Sequence, residues 1–217
     1  MLLDRQRVKF WQKWVFGFMA VIMAAFLVMI PLNRSLGCGG SSSATKTLDE
    51  EITRLVAAVQ ADPKNADLWR QLGEAYDGRG VPGADQTQLN AQQRADLQQA
   101  AKAYEKAARL YARQKGPDAK AARVAALESL SSVYYALGDY ASVVGVYGRL
   151  TDLMPKNADY FLFMGQAAEQ AGDNGTAALA YTRYLELSPD LTAADRADLQ
   201  ARIDSLSGSS STQGSGQ

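Results

Sequence analysis

The sequence contains no histidine and a single cysteine, Cys38, among 217 residues. Histidine is the usual general base and a common metal ligand, and cysteine supplies thiolate ligands, nucleophiles and disulfides. Zinc and haem sites, Ser-His-Asp and Cys-His catalysis, and disulfide scaffolds therefore lack their usual residues. Carboxylate or Ser-Lys chemistry stays open in principle, but nothing in the composition favours it. We expect a chain that is not an enzyme and that holds no metal or cofactor.

The chain also lacks a net charge, although its charges are unevenly distributed. Residues 1–13 carry a net charge of +3, whereas residues 35–217 contain 18 basic and 22 acidic residues. A weakly acidic body does not offer the basic surface that attracts a phosphate backbone. We therefore expect no nucleic-acid partner.

Residues 14–32, WVFGFMAVIMAAFLVMIPL, contain no charged side chain. As a helix this run would measure about 28 Å, close to the thickness of the hydrocarbon core of a bilayer. Four basic residues precede the run, and only Arg34 follows it closely. By the positive-inside rule, residues 1–13 are predicted to lie in the cytoplasm, residues 14–32 to cross the membrane once, and the rest to be extracytoplasmic.

The segment 33–46 is rich in glycine and serine and is predicted to be a flexible stalk. It contains Cys38, and Gly37-Cys38 is similar to the end of a bacterial lipoprotein signal, which would replace the span by a lipid anchor. Ser35 and Leu36 are in the wrong order for that pattern. Cys38 is therefore interpreted as a stalk thiol, and lipidation and cross-linking of two copies both stay open.

Beyond the stalk, residues 47–206 are predicted to be helical, beginning with a capping box in which Thr47 caps the helix and Glu50 reaches back. Two stretches recur after 34 residues. YYALGDY at 134–140 is followed by AEQAGDN at 168–174, and YGRLTDLMP, ending at Pro155, is followed by YTRYLELSP, ending at Pro189. Two matches at one spacing indicate a structural repeat.

The first repeat contains Trp69, Leu72, Gly73 and Tyr76, which share one helix face. With the small and aromatic residues that follow, the pattern resembles the tetratricopeptide repeat (TPR) over residues 65–189. The resemblance implies an all-α, TPR-like solenoid of helical hairpins behind the membrane span. In it Trp69 is a core residue, a last helix at 192–206 caps the stack, and residues 207–217 form a disordered tail.

The first repeat departs from the family by about fifteen extra residues between Tyr76 and Ala100. We expect a loop and then an extended helix from about Thr87 to Gln114, with Leu89 and Leu97 as apolar contacts. The inserted residues 78–97 are open to two interpretations, a binding element or a solvated spacer.

Resemblance to TPR proteins implies binding of a peptide or protein in the concave groove formed by the first helices of the repeats. The groove positions transferred from the family are Arg70, Glu74, Glu128, Ser132, Tyr135, Leu162, Gln166 and Glu169. Because acids outnumber the single Arg70 there, we expect a basic or amphipathic client. The sequence gives no indication of oligomeric state.

Together with the predicted membrane span, the groove suggests an extracytoplasmic scaffold or chaperone-like subunit of an envelope complex. The chain would then be a single-pass protein of the bacterial cytoplasmic (inner) membrane. One alternative is an assembly factor for cytochrome c maturation, whose exported repeat domain the stretch 61–76 resembles. Another is a lipid-anchored lipoprotein with the same binding role.

Overall fold

The computed structural model describes residues 40–81 and 88–212, and every contact discussed below lies within the unit Lys46–Gln217. The described part contains helices joined by short turns, and no strand. The helices are α1 (Gly40–Ala61), α2 (Ala66–Gly80), α3 (Ala91–Tyr111), α4 (Pro117–Leu137), α5 (Tyr140–Leu153), α6 (Ala158–Gln170), α7 (Asn174–Leu187) and α8 (Ala193–Thr212).

Short polar side chains define where most of these helices begin. Asn65, Asp139, Asn157 and Asp173 each accept a hydrogen bond from a backbone N–H of the first turn of α2, α5, α6 and α7. These bonds satisfy donors that would have no partner within the helix. Asn90 forms a complete capping box with Gln93 at the start of α3.

Successive helices pair in sequence order, so that α2 and α3 form the first repeat, α4 and α5 the second, and α6 and α7 the third. The two turns inside the second and third repeats have the same geometry, because Gly138 and Gly172 follow α4 and α6 with φ of 74° and 75°. Only glycine adopts this left-handed conformation at little cost. The predicted all-α class and hairpin order are confirmed for the described residues.

Three apolar clusters form the core. The largest joins α3, α4 and α5, where Leu127, Leu130 and Leu150 have no exposed surface. Burying each of them contributes about 1.5–3 kcal/mol. A second cluster packs α1 against the first repeat through Leu55 and Leu72, and a third packs α8 against α7 through Ile203 and neighbouring residues.

The inserted segment enters the core as predicted at two positions. Leu97 is fully buried and Leu89 packs against the same cluster. The helix itself differs from the prediction, because it begins after the Asn90 cap rather than at Thr87 and ends at Tyr111 rather than Gln114. Residues 82–87 lie outside the described residues.

Asp96 is a buried carboxylate that joins α3 to the two preceding helices. Its two oxygens accept a fork of hydrogen bonds from Arg79 at 3.0 and 2.6 Å, and Gln92 donates another at 3.1 Å. The same guanidinium donates to Asp49 of α1 at 2.5 Å. A carboxylate 2% exposed is tolerated only when it is paired in this way.

Two helices extend beyond their predicted bounds. Helix α1 begins at Gly40, so Thr47 lies inside the helix rather than capping it, and part of the predicted stalk is helical. Helix α8 continues to Thr212, although the sequence predicted its end at Leu206 and a disordered tail beyond. Both extensions have the same physical reason. Serines and small residues are common in linkers, but they can also continue a helix that is already nucleated.

The predicted cytoplasmic segment 1–13, the membrane span 14–32 and Cys38 lie outside the described residues. Among the helices of residues 40–81 and 88–212, none has the length and apolar character needed to cross a membrane.

Candidate functional site

A glycine in the first and third repeats allows the two helices of each hairpin to approach closely. A Cβ atom at Gly73 would lie 2.8 Å from the ring of Tyr104, and one at Gly165 would lie 2.6 Å from the ring of Tyr181. Both rings are only 2% exposed. In these repeats the aromatic side chain of the second helix is therefore a core residue packed on a glycine.

The second repeat has a serine, Ser131, where the other two have this glycine. Ser131 is buried and donates a hydrogen bond to the carbonyl of Glu128 at 2.7 Å. Tyr147, the counterpart of Tyr104 and Tyr181, is only half-buried. Since a Cβ leaves no room for a ring at the glycine positions, we attribute the outward placement of Tyr147 to Ser131.

Tyr147 lies instead against the first helix of the next repeat. Its ring centroid is 6.2 Å from that of Tyr160 and 5.8 Å from that of Phe163. Tyr135, at the end of α4, stacks edge to face on Tyr140 at 5.4 Å. These side chains place aromatic surface where repeats two and three meet.

The meeting point is a cavity of about 250 Å³, which we call the aromatic pocket. It is lined by Tyr135, Val143, Tyr147, Phe163, Gln166, Ala167, Glu169, Gln170 and Arg202. Tyr135 is 60% exposed and Phe163 is 44% exposed, which is unusual for large aromatic side chains. The exposed rings give the aromatic pocket an apolar surface beside the predicted groove residues Tyr135 and Gln166.

One edge of the aromatic pocket is an ion pair between the third repeat and the last helix. Arg202 of α8 donates to both oxygens of Glu169 at 2.6 Å each, and Tyr181 donates to the same carboxylate at 2.8 Å. The hydrogen bond from Arg202 lowers the pKa of Glu169 below its ordinary value, with a further contribution from Tyr181. Glu169 is therefore ionised at neutral pH and already neutralised from within the chain.

Two other acidic residues transferred from the family are also held internally. Glu128 accepts a hydrogen bond from Tyr160 at 2.6 Å, and Glu74 pairs with Arg70 one turn away. Burial, with the hydrogen bond to Glu128 adding to it, raises the pKa of Tyr160, so its hydroxyl stays a donor. Only Glu169 is neutralised by a cation outside the predicted groove positions, because Glu128 is bonded to a neutral hydroxyl and keeps its negative charge.

The eight predicted groove residues are distributed over all three repeats, and three of them line one cavity. Tyr135, Gln166 and Glu169 line the aromatic pocket. Ser132 is exposed and donates to the carbonyl of Glu128 at 3.2 Å, so it belongs with Glu128 on the face of α4. Leu162 is half-buried and packs with the α8 cluster, and Arg70 and Glu74 lie in the first repeat.

The eight predicted groove residues include three of the nine residues that line the aromatic pocket and miss the other six: Val143, Tyr147, Phe163, Ala167, Gln170 and Arg202. For Tyr147 a signal existed, because Ser131 interrupts the glycine pattern of the other repeats. Phe163 falls between the transferred groove positions. Arg202 belongs to the C-terminal helix α8, and the repeat pattern does not specify how α8 is aligned against the third repeat. Transfer of family positions cannot identify either one.

The described residues offer no constellation for metal chemistry. In residues 40–81 and 88–212, no group of three or more His, Cys, Asp or Glu side chains could hold a metal ion. What the site offers chemically is contact area and hydrogen bonding, from aromatic rings and from the exposed amides of Gln166 and Gln170.

No protein-family model matches the chain, and no curated protein matches it. Among solved structures, it is similar to a MamA RS-1 ArsTM double mutant, with 14% identity and a TM-score of 0.47, covering 75% of this chain and 86% of that chain. A crystal structure of MamA protein matches with 19% identity and a TM-score of 0.27, covering 71% and 92% of the two chains. Since both scores are below 0.5, neither likeness carries an argument about this chain.

Proposed function

We propose that the chain is a protein–protein interaction module that binds a peptide segment of a client in the groove of its helical repeats. In this proposal residues 14–32 tether the module to the bacterial cytoplasmic membrane, and the repeats act outside the cytoplasm as a scaffold or chaperone-like subunit of an envelope complex. The role is binding rather than catalysis.

The observation that carries the proposal is the aromatic pocket. Exposure of a large aromatic ring to water is unfavourable, and covering the ring with another surface removes that cost. Exposed aromatic side chains that line a cavity are therefore typical of interaction sites. Tyr135 and Phe163 are exposed on two different helices and border one cavity. A client side chain inserted between them would be surrounded by protein, as the anchor residues of peptide complexes are.

The pocket also indicates the chemistry of the client. Its rings favour an apolar or aromatic anchor, and the amides of Gln166 and Gln170 can both donate to and accept from a peptide backbone. Because Arg202 neutralises Glu169, a basic anchor gains little here. Of the two client types expected from the sequence, the amphipathic one is therefore favoured over the basic one.

The alternatives of a cytochrome c maturation factor and a lipid-anchored lipoprotein are supported by no described residue. The first would require evidence of a haem-assembly partner. The second depends on Cys38, which lies outside the described residues.

The proposal is tested by selecting peptides on the full chain and measuring their affinity for pocket variants. A display library is panned on the chain held in nonionic detergent, and the strongest peptide is titrated by fluorescence anisotropy. We expect Tyr135→Ala and Phe163→Ala each to weaken binding about tenfold or more, as removal of an anchor contact does.

Leu179→Ala is the matched control. Leu179 is 75% exposed on α7 and does not line the aromatic pocket, so its truncation also removes exposed apolar surface. Its substitution should leave the affinity unchanged. If the selected peptides bind all three variants equally, the aromatic pocket is not the client site and the proposal fails.

A further inference from the structure

A second and larger cavity borders α3 and shares no residue with the aromatic pocket. It measures about 460 Å³ and we call it the basic cavity. Its lining residues are Arg94, Gln98, Ala101, Lys102, Glu105, Arg109, Tyr134, Leu137 and Asp139. It therefore lies between α3, the last turns of α4 and the start of α5.

The two carboxylates of the basic cavity are already engaged. Glu105 pairs with Arg149 of α5 at 2.7 Å and more loosely with Arg109 at 3.6 Å. Asp139 caps α5 by accepting from the backbone N–H of Ser142 at 3.1 Å and from its hydroxyl at 2.7 Å. Arg149 neutralises Glu105, whereas Asp139 keeps its charge, so the three cations of the cavity outnumber its one unpaired acid.

Arg94 and Lys102 are exposed, and neither forms an ion pair with a carboxylate of the described residues. The surrounding chain adds to this charge. Residues 88–127 contain eight basic and three acidic residues, and one of those acids, Asp96, is buried with Arg79. An acidic body thus carries a locally basic surface, which attracts a partner of opposite charge.

The floor of the basic cavity is apolar. Ala101 is buried, and Tyr134 and Leu137 are half-buried and reach the cavity from α4. A site that combines cations at its rim with an apolar floor suits a segment carrying both acidic and apolar side chains. A nucleic-acid backbone would reach the cations but would present sugar and phosphate, rather than an apolar side chain, to this floor.

The distances between the basic side chains of the cavity determine how far apart the carboxylates of a bound segment should lie. Arg94, Lys102 and Arg109 lie seven or eight residues apart on α3, which corresponds to about 11–12 Å along the helix. An extended peptide covers that distance in about four residues. We propose that the basic cavity is a second docking site, for an acidic segment of a partner protein with carboxylates about four residues apart and an apolar side chain between them.

The test uses a defined probe, the fluorescein-labelled peptide Glu-Ser-Leu-Ser-Glu-Ser-Leu-Ser-Glu, titrated against the full chain in nonionic detergent. We expect saturable binding that weakens with added salt and is lost when the three glutamates are replaced by glutamine. Arg94→Gln with Lys102→Gln should weaken binding about tenfold, since two ion pairs are removed.

The control pair is Lys115→Gln with Lys120→Gln, which removes the same charge from exposed positions outside the cavity. It should change the affinity less than twofold. Equal losses in both pairs would show unspecific charge attraction and overturn the proposal, as would unchanged binding of the glutamine peptide or no binding of the acidic one. Displacement of the peptide by a single-stranded oligonucleotide at lower concentration than by unlabelled peptide would also overturn it. Tyr135→Ala should leave this binding intact, so its outcome is independent of the aromatic pocket.

Discussion

Gly165→Ala tests the close approach between α6 and α7. A Cβ atom at this position would lie 2.6 Å from Cε1 and 2.7 Å from Cδ1 of Tyr181. The ring cannot easily move aside, because it is 2% exposed and its hydroxyl is bonded to Glu169. Overpacking of this kind destabilises by about 1–3 kcal/mol, whereas replacing a helical glycine by alanine stabilises by up to about 1 kcal/mol.

We therefore expect Gly165→Ala to lower the free energy of unfolding by about 1–2 kcal/mol. The matched control is Gly145→Ala, in the interior of α5, where no atom lies within 4 Å of the added Cβ. That variant should be more stable than the parent by about 0.5–1 kcal/mol. The two substitutions are chemically identical, so their opposite signs isolate the contact with Tyr181.

The assay is urea unfolding of the full chain in nonionic detergent, followed by circular dichroism. A double-mutant cycle with Tyr181→Leu, which removes the ring, makes the reasoning specific, because in that background Gly165→Ala should no longer destabilise. If Gly165→Ala stabilises the parent as Gly145→Ala does, the close approach is not what keeps glycine at this position.

Three further predictions concern the core, the cap and the membrane span. Trp69→Ala should destabilise by about 2–4 kcal/mol in the same assay. The expected loss is slightly less than for a fully buried aromatic because Trp69 is half-buried, although the variant also loses the hydrogen bond from the indole to the carbonyl of Pro63 at 3.0 Å. A loss below about 1 kcal/mol would show that Trp69 is not a core residue. Glu169→Gln should destabilise by about 1 kcal/mol at pH 7. Because the hydrogen bond from Arg202 lowers the folded pKa of Glu169, that difference should begin to shrink as the pH falls below 4.5, the ordinary value, and should be lost once the carboxylate is protonated in the folded chain as well. A difference that stays constant from pH 7 down to the acid unfolding of the chain would assign it to packing. A reporter that works only outside the cytoplasm should be active when fused after residue 45, and activity of a cytoplasmic reporter there would reverse the predicted orientation.

The sequence was sufficient for the repeat architecture because its signals are local. Trp69, Leu72 and Gly73 share a helix face, and the recurrence of Gly138 and Gly172 marks turns that only glycine adopts easily. Packing then follows from periodicity, since each hairpin must bury the same face against the next. Burial of Leu97 was likewise predictable, because it is the one large apolar residue in the first three turns of α3.

The candidate site was less predictable because it depends on departures from the repeat. Tyr135 and Gln166 were predicted by transfer of family positions, but Tyr147 enters the aromatic pocket in the one repeat where a serine, Ser131, stands in place of the glycine. The charge of the groove was also misjudged from composition, because Glu169 counts as a free acid in the sequence and is paired with Arg202 in the fold.

The ion pair between Arg202 and Glu169 joins the C-terminal helix α8 to the wall of the aromatic pocket. It therefore couples the docking of α8 to the binding of a client. A client that gains contacts with Arg202 in the docked position of α8 must also hold α8 in place, and thermodynamic reciprocity requires that a firmly docked α8 strengthen the binding of that client by the same factor. A client that inserts its own cation beside Glu169 must instead release Arg202, and would loosen the cap as it binds. The protection of α8 amides from hydrogen exchange therefore reports the charge of the bound segment, increasing for the first kind of client and decreasing for the second.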